Sequence, residues 1–141
     1  MKEFRRVILY LGALFLIPVA VLKAVALLKG GVYLYARDSL LLIPNVYILW
    51  GTMICEFVLV WMIAKYPESE WTSFGFFSLG AQFMIYRTVG FLGSFSATCP
   101  CIGNMGKSLG ISTSVEHFVL NFIAAWLTFG GALLVLRRSV K

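Results

Sequence analysis

Apolar residues run along the chain in four long blocks, each closed by polar or turn-forming residues. The blocks are Val7–Leu28, broken by Pro18 and Lys23, then Val46–Ala64, Phe74–Phe95 and Val115–Leu136. As helices they would measure roughly 29–33 Å, against about 30 Å for the hydrocarbon core of a bilayer. They are too long for barrel strands and lack alternating hydrophobicity. The pattern predicts an all-α integral membrane protein, a four-transmembrane-helix bundle made by one domain over residues 1–141. Between the second and third blocks, Lys65–Thr72 is short and polar, as in an antiparallel helix hairpin. Pro18 should kink the first helix, because it removes one backbone hydrogen bond and crowds the preceding turn.

Composition agrees with the pattern. Apolar residues make up 60% and charged residues 13%, against roughly 45–50% and 25% in soluble domains. Polar surface is too scarce to coat a soluble globule, which excludes a soluble enzyme and a disordered chain. The net charge of +6 sits mainly at the two chain ends, whereas nucleic-acid binders gather positive charge on one face or stripe. Lys2, Arg5 and Arg6 with Ala24-Val25-Ala26 could instead mark a cleaved signal peptide. The sixteen apolar residues before Lys23 exceed the usual core of about 7–15, which favours an uncleaved span.

Basic residues orient the spans. With a cytoplasmic N-terminus, Lys2, Arg5, Arg6, Lys65, Arg137, Arg138 and Lys141 face inward, and Lys29, Arg37 and Lys107 face outward. Seven against three puts both termini in the cytoplasm and the 29–45 and 96–114 loops outside. Tyr33 and Tyr35 suit the headgroup level of the first of these loops. Lys23, near the outer end of its block, is expected to snorkel to the headgroups.

Chemistry concentrates in Cys99-Pro100-Cys101, just beyond the third block on the outer side, where disulfides can form. As a staple the pair is weak. A three-residue loop returns about 1.6 kcal/mol of chain entropy, and strain in so small a ring costs several kcal/mol. An easily reduced, exposed bond is what thiol–disulfide exchange needs. The same two thiolates with His117 could bind a soft metal, copper(I) or zinc. His117, early in the fourth block, could instead exchange protons with a thiol or serve as an interfacial polar residue. Glu116 fits a capping box with Thr113. Cys55, midway along the second block, reads as a small buried hydrophobe. Glu56 and Arg87 are charges within spans, where facing lipid costs roughly 2.5–3.5 kcal/mol each. They are expected to pair with each other, or to share a network through Gln82, Tyr86 or Asn121. Such a pair could fix packing alone or form a polar pocket for a head group, quinone or proton relay.

Taken in order, Glu56, Tyr86-Arg87 and Cys99-Pro100-Cys101-Ile102-Gly103 resemble the MauE/DoxX-related family of small four-helix, redox-associated membrane proteins. Ile102 stands where that family usually has Phe or Leu. The resemblance spans essentially the whole chain. It implies disulfide handling at a bacterial inner membrane, of the kind that supports maturation of a disulfide-rich periplasmic subunit in methylamine utilisation. It carries over Cys99 and Cys101 as the redox pair, with Glu56 and Arg87 as intramembrane polar residues. The partner expected is a thioredoxin-like or disulfide-containing extracytoplasmic protein, with the bilayer itself and no nucleic acid, and a quinone is the candidate cofactor. No hydrolase, kinase or transferase motif is present. The alternatives are a non-enzymatic soft-metal-binding or transport-accessory protein using Cys99, Cys101 and His117, and a scaffold subunit in which the cysteines are incidental.

Overall fold

A computed structural model of the chain describes residues 2–30, 32–38, 40–92 and 113–139. All regular elements among the described residues are helices: α1 (Lys2–Lys29), α2 (Val32–Tyr35), α3 (Asn45–Lys65), α4 (Glu70–Leu92) and α5 (Thr113–Ser139). Three contain stretches long and apolar enough to cross a membrane, Glu3–Lys29, Asn45–Lys65 and Phe118–Leu136. An integral membrane protein is consistent with these three helices. Helix α1 runs on through Pro18, and α4 starts at Glu70, four residues before its apolar block.

The four long helices pair in chain order, first with second and third with fourth. Helix α3 packs mainly on α1, and α4 mainly on α5. Both pairs are antiparallel. Lys23 of α1 meets Glu56 of α3, while Arg5 reaches past the far end of α3 to Ser69 and Ser73. Gly80 lies against Leu127 and Thr128, and Phe77 against Gly131. Because Ile8 also lies beside Gly130 and Ala26 packs with Leu120, α1 and α5 are antiparallel too. The start of α1, the α3–α4 turn and the end of α5 therefore share one end of the bundle. The end of α1, the start of α3, the end of α4 and the start of α5 share the other.

The first end is tied by polar contacts. Tyr66-Pro67-Glu68-Ser69 closes a β-turn, with the Ser69 amide donating to the Tyr66 carbonyl at 3.0 Å, and Pro67 supplies the fixed φ that such turns favour at their second position. Arg5 donates to the Ser69 carbonyl and, at 2.9 Å, to Ser73 Oγ, and Arg6 pairs with Glu68 at 3.1 Å. Between the ends, Leu9, Leu16, Phe76 and Leu127 are fully buried. The α4–α5 contact depends on one glycine from each helix. A Cβ on Gly80 would stand 2.5 Å from the Thr128 amide nitrogen, and one on Gly131 would stand 2.6 Å from the Phe77 Cα. Small residues at such crossings let backbones approach in the way membrane helices favour.

The outer surface is apolar. Helix α3 exposes Tyr47, Trp50, Ile54, Phe57, Val58 and Trp61. Exposed tyrosine and tryptophan fall toward its two ends, Tyr47 and Trp50 at one and Trp61 with the following Tyr66 at the other. Tyr47 and Tyr66 stand about 28 Å apart along a helical rise, close to the hydrocarbon thickness, as an aromatic belt at each interface requires.

Gly80→Ala should therefore destabilise the protein by about 1–3 kcal/mol, because the added methyl meets backbone that cannot rotate away. Gly51→Ala, where nothing lies within 4 Å of the new Cβ, should be neutral or stabilise by up to about 1 kcal/mol through helix propensity. Thermal unfolding in detergent orders the two variants. A Gly80→Ala melting point at or above that of Gly51→Ala would contradict the close α4–α5 contact.

Candidate functional site

Helix α3 is apolar on nearly every side, so its inward face is defined by packing rather than by amphipathicity. That face carries Leu49, Met53, Glu56, Leu59 and Ile63, spaced three or four apart. Glu56 is thereby brought to 0% exposure. Opposite it stands Lys23 of α1, also at 0%, with Nζ 2.5 Å from Glu56 Oε1. Lys23 has two further neighbours. Its Nζ donates to Thr52 Oγ1 at 3.2 Å and lies 5.1 Å from the centre of the Phe83 ring, within cation–π range. The Thr52 hydroxyl donates in turn to the Ile48 carbonyl at 2.8 Å. The ammonium is thus surrounded by a carboxylate, a hydroxyl and an aromatic face. Glu56 Oε2, by contrast, has no hydrogen-bond partner among the described residues.

Several expectations change here. Lys23 does not snorkel: the α1–α3 pairing turns it inward, onto the one carboxylate that α3 buries. For the same reason the ion-pair partner of Glu56 is Lys23 and not Arg87. Arg87 is half-buried on α4, whose main neighbour is α5. The network expected through Gln82, Tyr86 and Asn121 is also rearranged. Gln82 donates to Ser78 at 3.4 Å, the Tyr86 hydroxyl donates to Asp38 Oδ2, and Asn121 is exposed on α5. Cys55 is exposed, not buried, because one residue of helix turns it about 100° away from Glu56. It lines an open apolar groove of about 300 Å³ between α3 and α4, with Leu59, Met62, Phe74, Leu79 and Gln82 among the walls.

Cys99 and Cys101 lie outside the described residues. His117 falls on the fifth residue of α5. Among the described residues, no three of His, Cys, Asp and Glu come together as a metal site. Sequence reasoning missed the roles of Lys23, Thr52, Phe83 and Asp38. A signal for the first was present: Lys23 and Arg87 lie at similar depths, about 9 Å and 8 Å from the ends of their helices, so either could have met Glu56. Only the pairing of α3 with α1 decides between them.

Comparison with protein-family models, with curated proteins and with solved structures finds no match to this chain. The resemblance to the MauE/DoxX-related family accordingly rests on the residues quoted above.

An ion pair this deep has an asymmetric response to mutation. Glu56→Gln and Lys23→Met should each destabilise by about 3–5 kcal/mol, since each removes one of two buried charges and strands the other. The double variant Lys23→Met/Glu56→Leu should be more stable than either single one, and near wild type. Unfolding of all four proteins in one detergent reads this directly. A double variant as unstable as the sum of the single ones would contradict the pairing.

Proposed function

We propose that the chain is a four-span integral membrane protein with both termini cytoplasmic, and that Cys99-Pro100-Cys101 exchanges disulfides with an extracytoplasmic partner. The observation that carries this reading is the common position of the flanking helix ends. Helix α4 finishes at Leu92 and α5 starts at Thr113, both at the end of the bundle away from Arg5 and Arg6. The positive-inside bias assigns the Arg5–Arg6 end to the cytoplasm, so the cysteine-bearing segment leaves from and returns to the oxidising side. The bilayer reading is further supported by the exposed apolar faces and the spacing of the aromatic belts. Resemblance to the MauE/DoxX-related family points the same way.

The chemistry is a transfer of one disulfide. A thiolate from a partner dithiol attacks the Cys99–Cys101 bond and forms a mixed disulfide, and the second partner thiol then displaces the remaining cysteine. One S–S bond breaks here as one forms in the partner, two electrons enter this pair, and two protons move with them. The reverse exchange reduces the partner. The Lys23–Glu56 pair lies deep in the bundle, Lys23 about 9 Å from the end of α1 and Glu56 near the middle of α3 by helical rise. We assign it the role of a buried polar site for a proton or a quinone head group, consistent with the tendency of intramembrane charges to be functional.

In reconstituted vesicles, exchange with glutathione disulfide should persist in Cys55→Ser within about twofold, since exposure alone does not make an unactivated thiol reactive. It should fall to the rate of empty vesicles in Cys99→Ser and in Cys101→Ser. Full activity in both single variants would refute the exchange reading. Stoichiometric copper(I) or zinc on the reduced wild type, lost in Cys101→Ser, with no exchange, would replace it with soft-metal binding.

A further inference from the structure

The loop joining α2 to α3 is built in a way that neither helix packing nor thiol chemistry requires. Leu42 has φ +57°, in the left-handed region where side chains are strained and glycine or asparagine is the usual occupant. Yet the residue is leucine, and 70% of it is exposed. Leu41 and Ile43 on either side are also exposed. In water, three adjacent aliphatic side chains gain nothing from such a tip, and a strained backbone that persists is held by its surroundings for a reason.

The backbone of this loop is closed on itself. Asp38, itself buried, accepts at Oδ1 from the Leu40 and Leu41 amides at 2.9 and 2.8 Å. The Asp38 amide donates to the Ile43 carbonyl, the Leu42 amide to the Asp38 carbonyl and the Asn45 amide to the Ala36 carbonyl, at 2.8, 2.9 and 3.0 Å. Pro44 has no amide hydrogen to satisfy. The Tyr86 hydroxyl fastens Asp38 to α4, so the tip is fixed to the bundle. Irregular backbone enters a low-dielectric region only when its polar groups are satisfied in this way.

The surroundings of the tip identify what it meets. It leads directly into Tyr47 and Trp50, the exposed aromatic belt at this end of α3. Arg37, bridged to Pro44 at the base of the tip, is exposed, as is Lys29 at the end of α1 on the same end of the bundle. An apolar tip beside an aromatic belt and two cations fits a bilayer interface carrying anionic headgroups. We infer that the Leu41-Leu42-Ile43 tip is a lipid anchor, which sits in the headgroup–acyl boundary at this end of the bundle, with Lys29 and Arg37 on anionic lipid phosphates. The inference rests on the membrane reading and is independent of the cysteines.

The test uses spin labels on single cysteines in a Cys55→Ser/Cys99→Ser/Cys101→Ser background, reconstituted in phosphatidylcholine vesicles containing phosphatidylglycerol. Collision with oxygen and with a water-soluble nickel chelate reports depth. A label at Leu42→Cys should lie about 5–10 Å below the headgroup surface, with Glu68→Cys in water and Phe57→Cys deep in the hydrocarbon. It should move outward when phosphatidylglycerol is omitted or when Arg37→Gln is added. A Leu42→Cys label as open to the chelate as Glu68→Cys, with Phe57→Cys still in lipid, would overturn the anchor and leave the membrane reading standing. Loss of the lipid signal at Phe57→Cys would instead overturn the membrane reading. A depth unchanged without phosphatidylglycerol would overturn the anionic-headgroup part.

Discussion

Lys23 and Glu56 meet where neither charge can reach water, and the arrangement of α1 and α3 follows from that. Each charge alone would be among the most costly groups the bundle could enclose. Together they turn Glu56 inward and fix one register of α1 on α3, and the Arg5 contacts to Ser69 and Ser73 set the antiparallel direction. Leucine packing on an apolar surface tolerates sliding and rotation, whereas a carboxylate that must find one ammonium does not. Buried ion pairs need not add net stability, so the structural effect of this one is to specify the arrangement, whatever else it binds. Thr52 and Phe83 complete the ammonium's surroundings, and Phe83 brings α4 into contact with the α1–α3 pair.

With α1 and α3 joined by charge and α4 and α5 joined by glycine-mediated backbone contact, the up-and-down bundle consists of two closely packed antiparallel pairs. The α3–α4 turn crosses between the pairs, held by Arg5 and Arg6. Between α3 and α4 the looser contact leaves the apolar groove that exposes Cys55. At the opposite end the polar ties are different in kind. There Tyr86 of α4 holds the loop before α3 through Asp38, and the cysteine-bearing segment connects α4 to α5.

Much of this was legible in the sequence. The four long helices follow from block length and composition alone, with boundaries displaced by a few residues: α1 reaches back to Lys2 and α4 to Glu70, because polar residues just beyond a block can continue a helix. The functional geometry was less legible. A helix apolar on all sides gives no phase, so the sequence could not say that Glu56 faces α1 or that Cys55 faces outward. Depth along the spans was equally compatible with Lys23 and Arg87, and the choice depended on which helices pair. Nothing in the sequence singles out Asp38. Its role as the centre of a closed loop emerges only when Tyr86 approaches it from a helix forty-eight positions later. The Cys99-Pro100-Cys101 spacing was the sharpest chemical signal in the sequence.

The most direct test of the central claim is the equilibrium redox state of Cys99 and Cys101 in the purified, detergent-solubilised protein. The protein would be equilibrated across a series of glutathione buffers, its thiols counted by mass-shift labelling, and metal assayed on the same samples. The account predicts a reversible two-electron transition, within about 60 mV of the glutathione range, as expected for a pair that exchanges disulfides with partner thiols. A pair that stays reduced throughout and retains bound metal, or one that never forms a disulfide, would contradict it.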